Sequence, residues 1–116
     1  MTDEQKAKVK QAHDVCVKET SVSTELIIKG RNGDFVDDDK LKNFIFCFFK
    51  KIGFQNEAGE FQLNVIRAKL SSDYKPEEVN KLIETCSGVK GKNPADKAFE
   101  AYKCYYKTAS KHVSFI

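Results

Sequence analysis

The sequence predicts an all-α single domain of about six helices, and three observations carry that expectation. No stretch alternates apolar and polar residues as a half-buried strand does. Capping residues and glycines punctuate the chain at helical intervals. Both prolines, Pro76 and Pro94, stand where a helix can begin, a position at which the missing N–H costs nothing.

Each element has its own signal. Thr2 can cap a first helix, with Gln5 at the capping-box position, and that helix reaches about Thr20. Its apolar face is thin, formed by Val9, Ala12 and Cys16. "SVSTELIIKG" predicts a short second helix, capped by Ser21 or Ser23 and stopped by Gly30. The aspartates of "RNGDFVDDD" favour the start of a third helix from about Asp38 to Ile52, with Gly53 as its C′ residue. After the loop "QNEAGEF", a fourth helix runs from about Gln62 to Leu70. Pro76 and the glutamates behind it open a fifth, which stops near Gly88. Asn93 caps and Pro94 starts the sixth, which extends to about Lys111.

A chain of 116 residues is one domain, small enough for cross-links to matter. Its longest apolar run free of charge, "NFIFCFF", is far too short to span a bilayer, so no membrane insertion is expected. The net charge is +3, and the lysines are scattered along the helices rather than gathered on one face, which disfavours nucleic acid as a partner. The opening "MTDEQKAKVK" lacks the apolar core of a secretory leader; if the protein is secreted, this is its mature form with an added Met1.

Cysteines stand at 16, 47, 86 and 104 without a CxxC pair, which speaks against a zinc ribbon or a thioredoxin-like site. An even count at wide spacing suggests two disulfides and an oxidising compartment, with four buried cytosolic thiols as the alternative. Candidate chemistry is sparse. His13 and Cys16, at i and i+3, allow metal ligation only if Cys16 is not in a disulfide; a surface histidine beside Asp14 is the simpler reading. "DFVDDD" does not give the ligand positions of a calcium loop, and no glycine-rich phosphate loop occurs. No nucleophile or acid–base pair marks an enzyme, and no metal or cofactor is implied.

The third helix is the informative one. Leu41, Ile45, Phe48, Phe49 and Ile52 share a face, and Phe44 and Phe46 widen it beyond an ordinary apolar stripe. Such a helix is either a central core element or part of a wall around a ligand cavity.

The cysteine spacing and one stretch bear on that choice. Between successive cysteines lie 30, 38 and 17 residues, and "CFFKKIGFQNEAGEF" follows the second. This framework resembles the insect odorant-binding protein family, whose helical domains carry six cysteines. The two missing family positions are Asn43 and Ala95, which pair with each other in six-cysteine members, so the chain is similar to the minus-C four-cysteine subclass. The resemblance spans nearly the whole chain. It implies Cys16–Cys47 and Cys86–Cys104 disulfides, and a third helix that meets the sixth by packing alone.

It further implies a secreted carrier of a small hydrophobic ligand, moved through sensillum lymph, hemolymph or glandular fluid. Such a carrier is a monomer or weak dimer, and a receptor is a further candidate partner. Carried over by position, Ile45, Phe49, Phe54, Phe61, Ala98 and Tyr105 face the ligand, with Tyr102 one turn away. Val9, Ala12, Leu70 and Leu82 are added by helical facing, and Phe115 with Val113 and Ile116 as a C-terminal lid. Phe44, Phe46 and Phe48 are expected to pack between helices. The competing reading is a structural or protein-binding helical domain whose aromatic rings are only core.

Overall fold

The computed structural model describes residues 2–112, and six helices account for most of them. Helix α1 spans Asp3–Thr20, α2 Thr24–Arg31, α3 Asp39–Lys51, α4 Leu63–Leu70, α5 Pro76–Cys86 and α6 Pro94–Thr108. The only strand-like pairing among the described residues is a single bridge between Gln55 and Phe61. The all-α expectation and both proline starts hold.

The helix ends show how local chemistry sets the boundaries. Thr2 and Gln5 form the reciprocal capping box, satisfying two of the first turn's orphan amides. Asp38 accepts the Leu41 amide at 2.9 Å and Asn93 that of Asp96 at 2.9 Å. Ser21 does not cap α2 as one reading had it. It closes α1 in a left-handed conformation (φ 56°), and Ser23 takes the N-cap position of α2. Nor does Gly30 stop α2, which continues to Arg31 with Gly30 buried inside it. Helix α5 ends at Cys86, short of Gly88. Helix α6 ends at Thr108 rather than near Lys111, because the following backbone turns to other partners. The Ser110 amide goes to Glu78 and the Lys111 carbonyl to Tyr74.

Helix α3 is the centre of the domain. Leu41, Phe44, Ile45 and Phe48 are fully buried, and Cys47, Phe49 and Ile52 nearly so. Phe46 is only half-buried and lies beneath the Lys50 ammonium, 4.6 Å from the ring centre. With apolar residues on most of its circumference, α3 has to be surrounded. α1 and α6 flank it, and α3 packs most extensively against α6.

Two disulfides fix this arrangement. Cys16–Cys47 joins α1 to α3 and Cys86–Cys104 joins α5 to α6, as the family resemblance implied. Each stabilises by about 3–4 kcal/mol, mainly by restricting the unfolded chain. A Glu19 carboxylate oxygen lies 3.2 Å from Cys47 Sγ, but both sulfurs are bonded to each other, so this cluster offers no thiolate to a metal.

No covalent link joins α3 to α6. A charge cluster sits in its place: Lys42 on α3 reaches Asp96 on α6 at 3.1 Å and Asp37 at 2.7 Å. Lys42 also lies over the Phe99 ring of α6. The two carboxylates, Asp37 foremost, hold the Lys42 ammonium well above its ordinary pKa, and Lys42 holds Asp37 below its own. The aspartates of "DFVDDD" therefore serve α3 as a cap and a pairing partner rather than as a calcium loop.

Lys42 and Asp96 neighbour Asn43 and Ala95, the positions that lack cysteines. The double variant Asn43→Cys/Ala95→Cys is therefore expected to form a third disulfide. Its loop of about fifty residues gives up to ~4 kcal/mol of added stability if unstrained. Thiol titration together with thermal unfolding checks this: two free thiols, or a melting temperature below the parent, would refute the register.

Candidate functional site

A pocket between α3, α4, α5 and α6 is lined almost wholly by apolar side chains. α3 contributes Phe49. The loop after it contributes Phe54 and Phe61, and α4 contributes Leu63, Ile66 and Leu70. Leu82, Ile83 and Cys86 come from α5 with Ser87 beyond it, and Ala101, Tyr102 and Tyr105 come from α6. The cavity volume is ≈ 70 Å³. That is roughly half the ~150 Å³ of an apolar void known to admit benzene, so a larger guest needs the wall to give way.

The loop from Gly53 to Gln62 is held firmly enough to place two of the rings. Gly53 turns the chain out of α3 at φ 84°, and the Phe54 amide bonds back to the Phe49 carbonyl at 2.8 Å. Phe54 thereby comes to rest 5.6 Å from Phe49, centre to centre. The buried Gln55 donates to the Gly59 carbonyl at 2.9 Å, and the Gln62 amide closes the loop on the Phe54 carbonyl at 2.9 Å. Gly59 lies against the first residue of α6: a Cβ there would stand 2.7 Å from Pro94 Cβ, so only glycine lets the loop approach α6 so closely.

Tyrosine hydroxyls near the site are engaged with one another and with the main chain. Tyr105 Oη is 2.6 Å from Tyr74 Oη, and the Tyr74 hydroxyl donates to the Lys111 carbonyl at 2.7 Å. The rings of Tyr74 and Tyr105 meet edge to face, and Tyr102 adjoins Tyr105 at 5.9 Å. Next to this cluster the Ser110 amide and hydroxyl donate to the two oxygens of Glu78, at 2.6 and 2.8 Å. His112 stacks on Tyr106, and its Nε2 lies 2.7 Å from the Tyr106 carbonyl. The segment after α6 is thus tied to the start of α5 beside the cavity.

A second, more polar cleft of ≈ 280 Å³ lies between the start of α1 and the ends of α3 and α4. Val9 and Ile52 form its apolar part, with Glu4, Gln5, Lys8 and Lys69 around them. Lys69 bonds the Ile52 carbonyl; burial first, and Lys8 second, push its pKa down.

Of the residues expected from sequence, Phe49, Phe54, Phe61, Leu70, Leu82, Tyr102 and Tyr105 come together around the first cavity. The others do not. Ile45 and Ala98 are fully buried in the core and Ala12 nearly so, because α3 and α6 use those faces against other helices. Val9 opens on the second cleft instead. Phe115, Val113 and Ile116 lie outside the described residues. Leu63, Ile66, Ile83, Cys86, Ser87 and Ala101 were not anticipated. Two signals pointed to some of them: Leu63, Ile66 and Leu70 share one face of α4, and Ala101 stands one turn from Tyr105. Phe44 and Phe48 are wholly buried, as expected of rings between helices, and Phe44 meets the edge of His13. His13 lies 3.4 Å from Asp14 and joins no metal-ligand group among the described residues.

A helical domain with two disulfides and an apolar cavity has the architecture of a carrier of small apolar molecules. The comparisons agree. Residues 1–108 match the PBP/GOBP family, and the chain belongs to that family, the insect odorant-binding proteins; its four cysteines fit the minus-C subclass. The B1 protein of Tenebrio molitor is 35% identical over 108 residues, covering 92% of this chain and 82% of that protein. The fatty acid binding protein OBP56a from the oral disk of the blowfly Phormia regina is 38% identical with a TM-score of 0.76, covering 93% of this chain and 94% of that one. The THP12 carrier protein from the yellow meal worm is 39% identical with a TM-score of 0.66, covering 84% and 90%. The family consists of carriers rather than enzymes. No helix among the described residues is long and apolar enough to cross a membrane.

The Glu78–Ser110 tether gives a testable pH dependence. Ser110, by its hydroxyl first and its amide second, holds the Glu78 carboxyl below the ordinary carboxylate range. A lowered folded pKa means the tether contributes fully above the unfolded value and is lost as pH falls through the lowered one. The Ser110 amide resonance is therefore expected to hold its position down to about pH 4.5 and to shift on further acidification. In Glu78→Gln that acid shift is expected to vanish; a parent resonance that is flat across the whole range would refute the assignment.

Proposed function

We propose that this protein is a secreted carrier that takes one small hydrophobic molecule into the cavity between α3 and α6 and moves it through aqueous fluid. The observation that carries this reading is the apolar lining itself: four helices and a pinned aromatic loop converge on a space that their own side chains do not fill. A void of this kind lacks dispersion partners on its inner surface, and an apolar guest supplies them. The two disulfides support an oxidising, extracellular setting. The fatty acid binding and carrier functions named for two relatives support a lipid-like or odorant-like guest.

The action is physical. Burying ~300 Å² of apolar ligand surface gives about 7–8 kcal/mol before the costs of association, which leaves micromolar affinity with loose specificity. The guest needs more room than ≈ 70 Å³, so uptake involves displacement of the wall. α4 is the part best placed to move. It is short, lacks a side-chain N-cap bond and carries no disulfide, and it presents the exposed Leu63 and Val65 at the surface. The carrier reading requires no second subunit and no catalytic group.

A fluorescent apolar probe is expected to bind at one site per chain and to be displaced by medium-length apolar alcohols or esters. Phe54→Asp places a charge in the wall and is expected to weaken binding by more than tenfold, whereas Lys18→Ala leaves it unchanged. Ala101→Leu is the sharper variant: it fills the cavity from α6, so binding is expected to fall while the melting temperature holds or rises. Normal binding by folded Phe54→Asp and Ala101→Leu would place the ligand elsewhere. Absence of any probe binding to the parent would leave the rings as core alone.

A further inference from the structure

The second cleft, beside the start of α1, holds a cation that the fold leaves without a counter-charge. Lys69, in the last turn of α4, gives one ammonium proton to the Ile52 carbonyl at the end of α3. Both residues line the cleft, so the ammonium is fixed at its α3–α4 edge. An ammonium has three N–H donors, and two remain beyond that bond among the described residues. No carboxylate pairs with the half-buried Lys69 among those residues. The charge that acts on it is another cation: burial first, and Lys8 of α1 second, disfavour its ammonium form. Lys8 has a partner in Glu4 at 3.9 Å, but both are exposed and such a pair is weak. Gln5 adds donors, since its side-chain oxygen is taken by the Thr2 amide and the Ser72 hydroxyl. Val9 and Ile52 supply apolar surface between these groups. The cleft's ≈ 280 Å³ is roughly twice the ~150 Å³ of a void that admits benzene, so a small guest fits without displacing a wall.

We propose that this cleft is a second ligand site, for a small amphipathic anion: an ionised carboxylate held by Lys69 with Lys8 beside it, its short apolar body lying on Val9 and Ile52. The inference goes beyond the carrier reading and does not depend on it, because no residue lining this cleft lines the apolar cavity. A carboxylate accepts the remaining Lys69 protons in charge-assisted hydrogen bonds and offsets the repulsion between the two ammonium groups. A neutral alcohol can accept a proton but leaves that repulsion in place. A bare inorganic anion supplies the charge but leaves Val9 and Ile52 uncovered, and a cation meets two like charges. Glu4 is the opposing charge at the cleft; it is exposed, and its partner Lys8 offsets it.

The test is titration of the full chain at pH 7 with octanoate, octanol and acetate, read by the methyl resonances of Val9 and Ile52 for this cleft and of Ala101 for the apolar cavity. Octanoate is expected to shift Val9 and Ile52, with octanol and acetate each about tenfold weaker at those methyls. Lys69→Met keeps the length of the stem without its charge and is expected to weaken octanoate there about tenfold, while Lys69→Arg restores it. Lys8→Gln, at an exposed position, is expected to weaken octanoate about threefold. Ala101→Leu fills the other cavity and is expected to leave the Val9 and Ile52 response unchanged. Octanol or acetate acting as strongly as octanoate, octanoate shifts confined to Ala101, or an unaltered titration in both Lys69→Met and Lys8→Gln would each overturn this inference while leaving the carrier reading intact. Failure of the parent to bind an apolar probe would overturn the carrier reading and leave this site standing.

Discussion

Helix α3 has to bury about half of its circumference, and the rest of the fold follows from that constraint. Leu41, Phe44, Ile45 and Phe48 have no exposed surface, and the nearly buried Cys47 and Phe49 on either side widen that face to about half the helix circumference. A helix that apolar must be enclosed. α1 closes one side and is held there by Cys16–Cys47; α6 closes another and is held by packing and the Lys42 charge cluster. What remains is the end of α3, where Phe49 looks out past the enclosing pair. The chain then turns at Gly53 and lays Phe54 beside it.

The cavity is the consequence of filling space with rings near that end. Aromatic side chains are large and stiff, and their preferred tilted or edge-on contacts leave gaps that aliphatic chains would close. Phe49 and Phe54 meet at a tilt, as do Tyr102 and Tyr105. Beside its two tyrosines α6 offers the small Ala101, and α5 ends in Cys86 and Ser87, residues too small to fill the space between the rings. Close-packed interiors usually remove such gaps, because each lost contact costs dispersion energy. Here the gap persists since Gly59 against Pro94 and the Cys86–Cys104 bond fix the walls on two sides.

Much of this was legible in the sequence. Helix starts were read well because capping side chains and prolines act locally: Thr2, Asp38, Asn93 and Pro76 all stand where their chemistry places them. The ends were read less well, since tertiary partners decide them. Ser110 and Lys111 leave α6 for Glu78 and Tyr74, contacts that no local pattern announces. The same division runs through the site. Phe49, Phe54 and Phe61 follow from one quoted stretch and a family register. Ile45 and Ala98 were misplaced because facing a neighbour helix and facing a cavity give the same apolar spacing, and only the assembled bundle separates them. Ile83 and Ser87 were missed because the lining face of α5 is wider than the single row of Leu82 and Cys86: both follow that row one position on, at the same i, i+4 spacing.

The two covalent ties and the missing third have a common meaning for uptake. Cys16–Cys47 secures α3 from the side of α1, and Cys86–Cys104 secures the α5–α6 corner that forms part of the wall. Neither tie reaches α4, which contributes Leu63, Ile66 and Leu70 and packs chiefly on α5. Rigidity therefore lies on the α3 and α5–α6 sides of the cavity, and compliance lies across from them at α4. An adaptable apolar wall costs little specificity, because dispersion contacts are not directional. The side facing α4 is further fastened by the bonds of Tyr105 to Tyr74 and of Tyr74 to the main chain beyond α6, so it is the α4 wall that is left to yield to a guest.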